Sequence, residues 1–83
     1  MNEHLGKNNS DENKYKIFGE RLDTTMFRQD ISNRELASRM FVSTSTISGY
    51  RTGRRSPKVD DLARLASLLN VSADYLIGRT DQP

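Results

Sequence analysis

Between Phe18 and Leu76 the apolar residues fall three or four positions apart again and again, the spacing of α-helical faces. Phe18, Leu22 and Met26, with Ile17 beside them, predict a first helix from about Tyr15 to Arg28. Leu36, Ala37 and Met40 mark a second helix, and Val42, Ile47 and Tyr50 a third. Val59, Leu62, Leu65, Ala66 and Leu69 mark a fourth, with Asp60 and Asp61 in its first turn, where the helix dipole favours acids. A short fifth holds Tyr75, Leu76 and Ile77. Leu76 and Val71 are expected in the core, while Tyr75 and Ile77 are divided between core and a self-association surface. The fold class is all-α.

The punctuation agrees with this division. Ser32 and Glu35 make an S-x-x-E capping box, in which the hydroxyl accepts from the Glu35 amide and the carboxylate reaches back, and Ile31 can staple onto Leu36. Ser43 and Ser72 are N-caps for the third and fifth helices. Gly53 suits the position just past the third helix, Pro57 forbids its continuation, Asn70 suits a left-handed cap, and Gly78 ends the fifth helix. Two short helices joined by a tight turn and followed by a basic, glycine-broken loop are the layout of a helix-turn-helix, here over Ser32 to Pro57. The outward face of its second helix is Thr44, Ser45, Thr46, Ser48 and Gly49. Such residues form helices poorly, so something other than helix propensity selected them. A small, hydroxyl-rich face of this kind fits flush in a groove.

The ordered segments S-N-R-E-L-A, V-S-T-S-T-I-S, R-T-G-R-R-S-P and L-A-R-L-A-S-L-L-N-V-S-A-D-Y-L, with F-G-E-R-L before them, resemble the lambda-repressor-like (Cro or XRE type) helix-turn-helix regulators. The resemblance covers roughly Phe18 to Arg79. It implies a five-helix DNA-binding domain over residues 15–79 with the helix-turn-helix at helices two and three. Residues 1–14, polar and rich in Asn, are then expected to be a disordered arm, and residues 80–83 a tail or the start of a linker. Lys7, Lys14 and Lys16 are candidates for wrapping DNA from that arm, against which Glu3, Asp11 and Glu12 count.

The chain departs from the family pattern at three places. Thr25 stands where an apolar residue is usual. Met26 and Arg51 stand where the family often pairs an arginine with a glutamate, and the exchange of both leaves Arg51 able to turn outward toward phosphate. Phe41 occupies the turn position where glycine is preferred for its positive φ, so the turn is expected to be reshaped or the ring held by packing, for instance against the first helix.

Composition narrows the alternatives. The 83-residue chain is one small domain without cysteine, hence without disulfides or thiolate metal sites. A lone His4 and no nucleophile beside a base argue against an enzyme, and no cofactor is expected. No apolar run approaches the roughly 18 residues of a membrane span, and there is no secretory leader pattern, so a cytoplasmic protein is expected. The Gly49 to Ser56 run superficially suggests a phosphate-binding P-loop, but its spacing is one residue short and arginine replaces the lysine.

Net charge is only +2, but from Leu36 to Val59 there is no acid, while Arg39, Arg51, Arg54, Arg55 and Lys58 fall in that window. The basic side therefore coincides with the helix-turn-helix. The family match assigns Thr44, Ser45, Ser48 and Gly49 to base edges in the major groove. Phosphate contacts are expected from Asn33, Ser43, Arg51, Thr52, Arg54, Arg55 and Lys58, with Arg39 in reserve. No Arg, Gln or Asn lies on the reading face, so shape, water and the loop arginines are expected to carry much of the specificity. The function expected is sequence-specific binding of double-stranded DNA by a prokaryotic or phage transcriptional regulator, a repressor acting as a homodimer. The alternative is a protein-interaction module or antitoxin on the same fold.

Overall fold

The computed structural model describes the backbone of residues 3–83 and the side chains of residues 16–83. Five helices follow in order: α1 (Glu3–Gln29), α2 (Asn33–Met40), α3 (Thr44–Arg51), α4 (Val59–Leu69) and α5 (Ala73–Leu76). α1 starts well before Tyr15, because a pattern reading needs an apolar face and nothing before Ile17 supplies one. The arm expected over residues 1–14, with Lys7 and Lys14 on it, lies outside the residues whose side chains are described. None of the described helices is long and apolar enough to cross a membrane.

One core joins all five helices. α1 contributes Phe18, Leu22 and Met26; α2 Leu36, Ala37 and Met40; α3 Ile47 and Tyr50; α4 Leu65 and Leu69; α5 Tyr75 and Leu76. Truncating any of the fully buried leucines to alanine is in the class of changes that cost about 2–5 kcal/mol. α1 crosses the C-terminal end of α3 at Gly19, where an added Cβ would lie 2.8 Å from the carbonyl oxygens of both Tyr50 and Arg51. Just before it, Phe18 meets Tyr50 edge to face with ring centroids 5.7 Å apart.

The caps form as their residues dictate. The Ser32, Ser43 and Ser72 hydroxyls accept from the amides of Glu35, Thr46 and Tyr75. The other half of the Ser32 capping box does not close, because the Glu35 carboxylate pairs with Arg39 at 2.9 Å. Asn70 adopts the left-handed conformation, and Gly53 and Gly78 take positive φ. Ile31 packs against the core, as a staple should.

The structure corrects some expectations and decides others that residue order left open. Ile17 and Val59 lie on the solvent side of their helices. Tyr75 is buried, with the Arg21 guanidinium 4.4 Å from its ring centroid. Thr25 is buried at an apolar position without penalty, since its hydroxyl donates to the Arg21 carbonyl at 2.7 Å. Phe41 keeps the left-handed conformation of the family's glycine, at φ 59 and ψ 42, yet its ring is 87% exposed. The turn is neither reshaped nor held by the ring.

Candidate nucleic-acid interface

Ser43 caps α3: its Oγ accepts from the Thr46 amide at 3.1 Å and is hydrogen-bonded to Thr46 Oγ1 at 3.0 Å. Burying Ile47 and Tyr50 inward leaves Thr44, Ser45 and Ser48 exposed. Beyond the helix, Gly53 at φ 79 turns the chain, and the Arg54 and Arg55 amides donate back to the Gly49 carbonyl at 3.0 and 3.1 Å. That return folds the basic loop over the end of α3. The result is an open groove of about 420 Å³ lined by Ser45, Ser48, Gly49, Thr52, Arg54 and Arg55. Residues expected to read bases and residues expected to hold phosphate thus share one concavity, with Thr44 a turn away at the start of α3.

Gly49 has a role on this face that its residue type conceals. An added Cβ there would lie 2.7 Å from Cδ and 2.9 Å from Cγ of Arg55. The missing side chain is the seat across which Arg55 lies, and its guanidinium reaches Thr46 Oγ1 at 3.3 Å. Gly49 thus brings no side chain to this face, and its carbonyl is taken by the Arg54 and Arg55 amides. Thr52 Oγ1 donates to the Gly49 carbonyl at 3.3 Å. Among the described residues no ion pair engages Arg54, Arg55 or Lys58, and all three are exposed. Beneath them, Tyr50 is held protonated above its usual pKa of 10.0, first by burial and then by the Asp61 carboxylate, with Arg55 acting the other way.

Arg51 does not turn outward. Its Nε donates to Asp23 Oδ1 at 2.8 Å, its Nη2 meets the same oxygen, and its Nη1 donates to Asn33 Oδ1 at 2.6 Å. An acid on α1, one turn before Met26, holds the guanidinium. No local pattern announces a pair separated by 28 positions in the chain. Arg39 is likewise occupied by Glu35.

Two further residues, unmarked in the sequence, tie α1 to the C-terminal half. Arg21 donates to the carbonyls of Tyr75 and Thr80 at 3.1 and 2.9 Å and pairs with Asp81 at 2.9 Å. Gln29 donates to the Leu69 carbonyl at 2.7 Å, at the end of α4. Groups of three or more metal-ligating side chains are absent among the described residues.

A family model described as helix-turn-helix matches residues 27–76. Among curated relatives, the HTH-type transcriptional regulator ImmR of Bacillus subtilis (strain 168) is 32% identical over 63 residues, covering 76% of this chain and 50% of that protein. The uncharacterized HTH-type transcriptional regulator YobD of the same organism is 31% identical over 67 residues, covering 81% of this chain and 60% of that one. The chain thus spans half to three fifths of the length of these relatives. In fold it is similar to the restriction-modification controller protein C.AhdI from Aeromonas hydrophila. The TM-score is 0.69 and the identity 24%, over 75% of this chain and 94% of that one.

Proposed function

This chain belongs to the Cro/XRE-type helix-turn-helix family, and on that footing we propose that it binds double-stranded DNA sequence-specifically as a transcriptional regulator, with α3 in the major groove. The observation that carries this reading is the groove in which the hydroxyl face of α3 adjoins Arg54 and Arg55. Phosphates are held by Arg54, Arg55 and Lys58, by the hydroxyls of Ser43 and Thr52, and by Asn33 at the start of α2, where unbonded amides favour anions. Bases are read by Thr44, Ser45 and Ser48, whose hydroxyls both donate and accept. Two copies on half-sites about 34 to 36 Å apart would supply affinity that one small domain lacks. Such a regulator works in the cytoplasm, where its DNA lies, and represses when its site overlaps a promoter.

The test is selection of bound sites from random duplexes, followed by titration of the selected site at several salt concentrations. Arg55→Ala is expected to weaken binding to every sequence and lower the salt slope by about one, whereas Ser45→Ala changes preference at one base pair. If both variants bind as the parent does, the reading surface is elsewhere. A protein-interaction module is the second reading, favoured by the rings of Phe27 and Phe41, which are 84% and 87% exposed. Association with a protein at an affinity insensitive to salt, and no enrichment of any duplex, would select it.

A further inference from the structure

We infer that Arg51 is a positioning residue: it orients the side-chain amide of Asn33 so that its N–H groups face a DNA phosphate. The assignment rests on the DNA-binding reading above. Three helices meet at this guanidinium, since Arg51 closes α3, Asn33 opens α2 and Asp23 lies within α1. Nε and Nη2 of Arg51 grip Asp23 Oδ1, the first at 2.8 Å, while Nη1 donates to Asn33 Oδ1 at 2.6 Å.

The chemistry of the pair decides the amide's direction. A guanidinium carries donors and no acceptor, so the atom of Asn33 that faces it is the carbonyl oxygen and the NH2 group is turned away. Asp23 keeps Arg51 from swinging out, and Arg51 keeps the amide from flipping. The amide sits at a place short of acceptors. In the first turn of α2, the Glu35 amide is taken by Ser32 Oγ and the Leu36 amide by the Ser32 carbonyl. The amides of Asn33 and Arg34 precede the first intrahelical bond and await an acceptor from outside. With the oriented NH2 group they form a donor set that suits a phosphate oxygen. Arg51, its charge matched by Asp23, holds no phosphate itself.

Arg51→Lys keeps the charge but replaces a rigid planar fork with a compact ammonium whose rotatable donors do not fix the Asn33 amide against Asp23. The experiment is a double-mutant cycle of Arg51→Lys and Asn33→Ala, titrating a duplex selected by the parent chain, at a temperature where circular dichroism shows every variant folded. Arg51→Lys is expected to weaken binding roughly tenfold, the scale of one hydrogen bond to a charged acceptor. It leaves the salt slope unchanged and has no effect once Asn33 is alanine. Parent-like binding by Arg51→Lys, or the same loss in both backgrounds, overturns the inference.

Asp23→Ala is the second variant, needed if Arg51→Lys does not fold. It removes an acid from the region of the duplex, so tighter binding would mark Arg51 as a phosphate ligand held back and overturn the assignment. Weaker binding that vanishes in the Asn33→Ala background supports it. A parent chain that enriches no duplex defeats the DNA-binding reading itself, and this inference with it.

Discussion

Phe41 spends its conformational energy without a return in packing. A side-chain-bearing residue in the left-handed region is strained by on the order of 1 kcal/mol, and this ring lies in solvent. Phe41→Gly is expected to raise stability by about 0.5–1 kcal/mol, read as a higher urea midpoint; a lower one would mean that the ring shields something beneath it. Tyr50 makes the complementary case of a polar group whose value lies in burial. Its phenol is held above the usual 10.0, so the folded state binds this proton more tightly than the unfolded state. Its contribution is therefore complete below pH 10 and lost as pH rises through the raised value. Thermal midpoints are expected to fall above pH 10, and Tyr50→Phe to fall less steeply there. Equal alkaline slopes for parent and variant would place the titration elsewhere.

At the scale of elements, α3 is the least self-sufficient of the four longer helices. Its eight residues, TSTISGYR, include two threonines and a glycine, all poor helix formers. It stands because Ser43 caps it, Ile47 and Tyr50 anchor it in the core, and α1 and α2 pack on either side. Ser43→Ala is expected to cost about 1 kcal/mol of stability by urea titration. Because the same cap sets the first turn of the reading face, affinity for a selected duplex should fall with it. Stability within error of the parent would show that tertiary packing alone holds that turn. α2 uses its cap differently. Glu35 is spent on Arg39 rather than on closing the box, which lets the two exposed charges neutralise each other on the basic side.

Across the whole molecule, the angle between α1 and the helix-turn-helix depends on one small residue. Gly19→Ala would drive a methyl against two backbone carbonyls at 2.8 Å, and backbone yields less readily than a flexible side chain. A loss of about 1–3 kcal/mol is expected from urea unfolding, and an unchanged midpoint would mean that α1 can shift along α3 freely. At the other end of the bundle, Arg21 joins α1 to Tyr75, Thr80 and Asp81 in one set of bonds. α1 is thus a spine, with the C-terminal segment bound on one side and the basic groove on the other.

Helix count, the serine caps, the left-handed Asn70 and most of the inward stripes were legible from residue order, though not the left-handed Asp30 or the outward Ile17 and Val59, because periodicity and capping chemistry operate among neighbours within about four positions. The groups that meet only after folding were not. Asp23 reaching Arg51 and Gly19 admitting α3 join residues distant along the chain, and Arg55 crosses Gly49 only because the loop after Gly53 folds back; no local rule ranks such partners. Where an arginine has both an acid and open water within reach, three-dimensional packing chooses. Here the chain alone determined which surface is basic, and tertiary contact decided which of its arginines face outward.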